Sequence, residues 1–309
     1  MNNPFLKTLS IATLAAAVAA CGGSGSGSSD SDSSTGTASL SLTDAPVTDL
    51  SAAQLNITSV ELKPANSDSV TIELDTAMDI NLLDFQGGKV AELFEGEELP
   101  AGEYEWIRLH LGEDPYVIEA SDPNQTPIFL FLPSGRQTGL KLQGGFVIPA
   151  GDTAEFTIDF DVKKSIINAG GNAPSGRDKY ILKPAHRLVD NSESGAIVGE
   201  VDVINLEQQL GCDTNDDYDG SVYVYEGADV EPTDLNVNEE GGPLVAVTVS
   251  NEDQASLYSY KAAFLPAGDY TISYTCQPDD NETSETLEFV GTQNVTVTAD
   301  TETTADVIQ

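Results

Sequence analysis

Residues 99–111 read LPAGEYEWIRLHL: a Pro-Ala-Gly turn, an acidic residue, an aromatic, then a run in which apolar and polar side chains alternate. The same lead recurs at residues 148–160, IPAGDTAEFTIDF, and at residues 265–276, LPAGDYTISYTC. Proline presets φ at about −65° and glycine supplies the positive φ that a Cβ resists, so the lead reads as a chain reversal into a strand. Alternation with period two then sorts the faces. Ile107, Leu109 and Leu111 oppose Trp106, Arg108 and His110, and Phe156, Ile158, Phe160 and Val162 oppose Thr157, Asp159 and Asp161. In the third copy Tyr270, Ile272, Tyr274 and Cys276 oppose Thr271, Ser273 and Thr275, which are expected to face outward. These leads predict an all-β chain with two β-sandwich domains in tandem after a signal peptide and a flexible tether.

The flanking sequence fits that plan. Residues 38–47, ASLSLTDAPV, alternate and then break at Asp44-Ala45-Pro46, a turn signal. Residues 53–63 alternate with one slip at Thr58-Ser59, read as a bulge, and residues 70–74 and 80–85 read as two further strands. Residues 89–95 fit either a short helix or a strand. The stretch NAGGNAPSG at 168–176 is a loop, and the polar segment 190–195 is the best boundary between domains at 38–190 and 195–309.

At the other end, Lys7 precedes a mostly apolar run over residues 9–20 that is too short to span a bilayer and reads as a signal peptide. It closes on Val18-Ala19-Ala20-Cys21, which resembles the bacterial lipobox, whose cysteine is lipidated and becomes the mature N-terminus. Gly22 stands where an inner-membrane retention aspartate would, which favours the outer membrane, on its periplasmic or cell-surface side. Residues 21–37, rich in Gly, Ser and Asp, form a tether reaching roughly 20 Å as a random coil. With Cys21 carrying lipid, Cys212 and Cys276 remain as an even pair in an oxidising compartment, where a disulfide is expected.

The 309-residue chain carries a net charge of −38, with 13 Lys and Arg against 51 Asp and Glu. Beyond residue 195 only Lys261 stands against two dozen carboxylates. Such a field repels phosphate backbones and excludes nucleic acid as a partner, and it leaves the acyl chains as the attachment to a membrane.

Five stretches in order carry a family resemblance: LSLTDAPV at 40–47, the segment 99–111, PSGRQTGLKL at 133–142, DFDVKKSI at 159–166 and YILKPAHRLV at 180–189. Together they resemble the family known as domain of unknown function 4382, found in bacterial lipoproteins. The resemblance implies an extracytoplasmic β-sandwich-like domain and brings no activity or catalytic residue. The second half is similar to prealbumin-like and carboxypeptidase-regulatory-like sandwiches, which usually stabilise or present other domains.

Candidate sites are few. Asn215, Asp217, Asp219 and Glu226 mimic an EF-hand spacing with Gly220 at its sixth position, which would admit calcium, although residues 221–225 read as a strand. Asp159 and Asp161 could clamp a cation or a basic group from one strand face, with Lys163 continuing it, or form a solvated face. Arg136, Lys141, Lys163 and Lys164 lead a basic region reaching to Arg187 that could hold an anionic glycan or the acidic second domain, or simply guard strand edges. Trp106 and the tyrosines Tyr223, Tyr225, Tyr258 and Tyr260 would stack sugars if exposed, and otherwise belong to the core. His110 could partner Asp44 or Ser134 as a base, yet no nucleophile motif accompanies it, so no catalytic residue is assigned. The expected function is a non-enzymatic binding, adhesion or structural module of the cell envelope, with a glycan or envelope protein as partner. The competing class is a hydrolase acting on envelope polymers.

Overall fold

A computed structural model describes residues 34–44, 49–132, 138–168, 180–212, 218–239, 241–251 and 255–308. All of these lie within one compact unit, Ser33–Gln309. The segments carrying the expected signal peptide, and Cys21, lie outside the described residues.

In the first sandwich, one sheet runs His186–Asp190, Thr153–Phe160, Thr35–Asp44, Ala91–Pro100. The larger sheet is centred on Leu50–Pro64, which pairs with Gly102–Leu111, Tyr116–Glu119 and Val70–Asn81, and Gly102–Leu111 pairs onward with Leu140–Ile148. Leu40, Leu42, Phe156 and Phe160 from the first sheet meet Ile57, Leu62, Ile107 and Leu109 from the second in one buried core. The second sandwich packs Tyr258–Pro266, Ser194–Val201 and Glu302–Thr304 against a sheet ordered Val245–Thr248, Ser221–Glu226, Gly268–Thr275, Val290–Val297. Its core contains Ile197, Tyr260, Ile272 and Tyr274. Helix Val203–Leu210 ends on Gly211 in the left-handed region, and Cys212 beside it is disulfide-bonded to Cys276 with Cα atoms 6.2 Å apart.

All three Pro-Ala-Gly leads act in the same way. Each donates a backbone N–H to a carbonyl at or just before the first strand of its own sandwich: Ala101 to Ser34 (2.8 Å), Gly151 to Thr35 (2.8 Å) and Ala267 to Glu193 (3.0 Å). The apolar leads Leu99, Ile148 and Leu265 are buried beneath them. Where the motif ends in tyrosine, the hydroxyl returns to the proline carbonyl, Tyr104 to Pro100 at 2.8 Å and Tyr270 to Pro266 at 2.7 Å, stapling the turn to the strand it launches. The glycines differ. Gly102 and Gly151 have positive φ, whereas Gly268 does not; in the third copy Phe264, at φ 54°, takes the left-handed position, at a bulge just ahead of the proline.

Other expectations change in detail. The first strand begins at Thr35 and takes in the last three residues of the segment read as tether. Val70–Asn81 is one strand followed by the 3-10 turn Leu82–Asp84, and Ala91–Pro100 is a strand. Thr271, Ser273 and Thr275 are buried, because irregular segments around Leu235 and Phe289 build a second small core with Tyr223 and Tyr225 over that face. The strand at 153–160 stops at Phe160, and Val162–Ser165 is a helical turn, so Lys163 does not continue the face of Asp159.

Two measurements check these packing claims. A Cβ on Gly36 would lie 2.1 Å from the Pro149 carbonyl oxygen, whereas one on Gly96 (φ 66°) would meet nothing. Gly36→Ala is therefore expected to cost about 3 kcal/mol in urea unfolding and Gly96→Ala about 1 kcal/mol; equal losses would contradict the pinch at Gly36. Reducing Cys212–Cys276, 64 residues apart, should lower stability by about 4 kcal/mol on loop-closure entropy, read as a drop in Tm.

Candidate functional site

Three ion pairs, of Lys163, Lys164 and Arg187, lie where the two sandwiches meet. The connection is short and tied on both sides. Asp190 caps the 3-10 turn Asn191–Glu193 by accepting from the Ser192 N–H at 2.9 Å, and the Asn191 side chain accepts from the Thr157 hydroxyl at 2.8 Å. On the far side Glu193 accepts the Ala267 N–H already described.

Next to it, Asp161 caps Val162–Ser165 by accepting from the Lys164 N–H at 2.9 Å. That cap aims the two lysines at the second sandwich. Lys164 Nζ donates to the carbonyls of Leu244 (2.9 Å) and Pro243 (3.1 Å) and stays 3.2 Å from Asp161. Lys163 Nζ lies 3.6 Å from Asp279, and its carbonyl accepts from the Asn281 side chain. Arg187 pairs with Asp159 on the adjoining strand.

Burial sets the electrostatics. It raises the Asp161 carboxyl above its ordinary value despite the Lys164 charge. The Asp279 side chain is fully buried; its Oδ2 accepts from the Tyr223 hydroxyl (2.5 Å) and the Leu235 N–H (3.1 Å). Burial likewise pushes the Tyr218 hydroxyl up to about 12 and Tyr223 further still. Between the sandwiches Tyr218 and Asp279 border an open cavity of about 460 Å³, lined also by Lys163, Tyr180, Asn281 and Glu285.

Residues 35–184 match the family model described as Domain of unknown function (DUF4382). That match covers most of the first sandwich and just under half of the chain. No curated protein matches the chain. Among solved structures, the chain is similar to a leucine-rich repeat protein from Bacteroides thetaiotaomicron (16% identity, TM-score 0.23), with 90% of this chain and 26% of that one covered. It thus spans about a quarter of that protein's length. It is also similar to the major pilin subunit of Bacillus cereus (13%, 0.19, covering 89% and 99%) and the minor pilin of Streptococcus agalactiae (10%, 0.17, covering 87% and 94%). TM-scores this low assign neither fold nor function.

Within the DUF4382 domain the expected basic patch dissolves. Lys163 and Lys164 are engaged by the second sandwich, Lys141 sits on the outer face of the large sheet, and Arg136 lies outside the described residues. Asp159 and Asp161 each hold a basic group, Arg187 and Lys164, and Asp161 also caps the helical turn. His110 bonds Glu61 at 3.2 Å, and Asp44, far from it in role, accepts the buried Val162 N–H at 3.0 Å; Ser134 lies outside the described residues. The EF-hand candidates lie only partly within the described residues. Asn215 and Asp217 are outside the described residues, and Ser221–Glu226 is a strand roughly 17 Å long that carries Glu226 away from Asp219. Among the described residues no group of three His, Cys, Asp or Glu is placed to hold a metal. Tyr223, Tyr225 and Tyr260 are core residues, not a sugar platform. Asp279, Asn281 and the carbonyls of Pro243 and Leu244 carried no motif that would have announced them.

The junction is open to test. Lys164→Ala leaves two carbonyls unpaired and Asp161 without its counter-charge, so a loss of about 2–4 kcal/mol is expected. Calorimetry should then resolve two transitions in place of one; an unchanged single transition would contradict the clasp. Because the folded-state Asp161 carboxyl sits above its unfolded value, its ionisation opposes folding, an effect absent in acid that grows as pH rises through the raised value. Asp161→Asn, which keeps the capping oxygen, should be more stable than wild type at pH 7, with the advantage shrinking toward pH 4 as measured by urea midpoints.

Proposed function

We propose that the chain is an extracytoplasmic, lipid-anchored module of the outer membrane that binds or organises envelope components and performs no chemistry of its own. The observation carrying this reading is the disulfide between Cys212 and Cys276, a bond that persists in oxidising compartments. The leader ending Ala20-Cys21-Gly22 supports attachment through an acylated cysteine, and no helix among the described residues is long and apolar enough to cross a membrane. Two or more acyl chains, at about 0.8 kcal/mol per buried methylene, hold a protein far more firmly than one. The DUF4382 domain then presents the second sandwich at the end of its tether. The polar bonds across the junction suit a presenting role, and the histidines are engaged by Glu61 and by the Gln143 carbonyl.

Cys21→Ala decides the anchor. The wild-type chain is expected in the membrane fraction with an intact mass raised by its acyl groups, and the variant in the soluble fraction. An unmodified Cys21 in the wild-type protein would overturn this reading.

A further inference from the structure

The exposed face of the large sheet gathers cations around the one tryptophan of the chain. Trp106 and Arg108 stand two residues apart on Gly102–Leu111, with Lys141 opposite Arg108 and Lys63 opposite Trp106 on the flanking strands. The Arg108 guanidinium lies 4.5 Å from the centre of a Trp106 ring and Lys141 Nζ 4.7 Å from it, both within cation–π range. Glu61 takes one side of Arg108 at 2.8 Å and the His110 ring at 3.2 Å. Burial alone would raise the Glu61 carboxyl, but hydrogen bonds from Ser69, His110 and Arg108, together with the Arg108 charge, outweigh it and hold it below its ordinary value. Arg108 is thereby fixed in place, with its Nε unpartnered, while Lys141 is exposed and has no carboxylate partner among the described residues.

In a protein of charge −38, Arg108 and Lys141, with Lys63 beside them on the Ser67 carbonyl, outnumber the nearby carboxylates of the adjoining strands, Glu61 and Glu73, and form a local reversal of sign. At physiological salt the Debye length is about 8 Å, so a bound anion feels this patch more than the distant acidic surface. The half-exposed indole adds what a simple ion does not need: a flat apolar surface suited to the C–H face of a sugar ring. We propose that this face binds an acidic polysaccharide, with a uronate-type carboxylate between Arg108 and Lys141 and the pyranose ring against Trp106. A flat strand face rather than a pocket suits a long, repeating polymer. The inference deepens the binding role proposed above and relocates the anionic-glycan site from Lys163 and Lys164, which the junction occupies.

Since Trp106 is the only tryptophan, its fluorescence reports this site alone. The full chain in detergent is titrated with oligogalacturonate at physiological salt. A saturable change is expected, with affinity at least tenfold weaker in Lys141→Glu and unchanged in Lys183→Glu, an exposed lysine on another part of the domain. Circular dichroism of Lys141→Glu confirms that the strand fold is intact. No saturable change, or an equal response to a neutral cello-oligosaccharide, would overturn the proposal; an equal response to polyglutamate would overturn its saccharide part in favour of an acidic protein. Acyl mass at Cys21 is measured on the same sample, so loss of the anchor and loss of the glycan site are read separately.

Discussion

The strand Thr35–Asp44 is the constraint from which the first sandwich is registered. It is paired on both edges, antiparallel with Ala91–Pro100 and parallel with Thr153–Phe160, and two Pro-Ala-Gly turns bond its first residues from either side. Gly36 passes so close to Pro149 that only hydrogen fits. A one-residue slip would turn Leu40 and Leu42 out of the core and break both turn contacts together, so pattern and turn chemistry enforce the same register. The strand's other end is also fixed, since Asp44 accepts the Val162 N–H at the start of the helical turn that bears Lys163 and Lys164. The pinch at one end of this strand and the clasp at the other are thus parts of one element.

The cations divide between two tasks. Lys163, Lys164 and Arg187 sit where the sandwiches meet, each beside a partly or fully buried carboxylate and, for Lys164, two backbone carbonyls. Such pairs gain little over apolar packing, but breaking one leaves a buried charge or carbonyl without a partner, which makes them better at specifying one arrangement than at adding stability. Arg108 and Lys141 face solvent on a rigid sheet, propped by Trp106. With a net charge of −38 over the chain, such a cation-bearing face stands against a mainly acidic background.

Much of the fold was legible from local rules. Alternation placed Ile107, Leu109, Ile158 and Phe160 in the core correctly, and the Pro-Ala-Gly leads marked true strand starts. Cys212 and Cys276 were paired by parity alone. Alternation failed at Thr271, Ser273 and Thr275, since period two separates two faces but does not say that loops around Leu235 and Phe289 will cover the second. The lysine clasp was half legible: Lys163 and Lys164 stood out as basic and the acidic second half as a possible partner. Their actual partners, the carbonyls of Pro243 and Leu244 and the isolated Asp279, have no sequence signature because any residue supplies a carbonyl. The Trp106 face could not be assembled from one strand, because Lys63 and Lys141 reach it only through cross-strand register.

If pinch and clasp make one body of the two sandwiches, native-state amide hydrogen exchange measured against denaturant is the most direct test. The slowest amides of Thr153–Phe160 and of Gly268–Thr275 should exchange through a single global opening, with the same free energy and the same denaturant dependence. Two distinct opening energies, one for each sandwich, would contradict it.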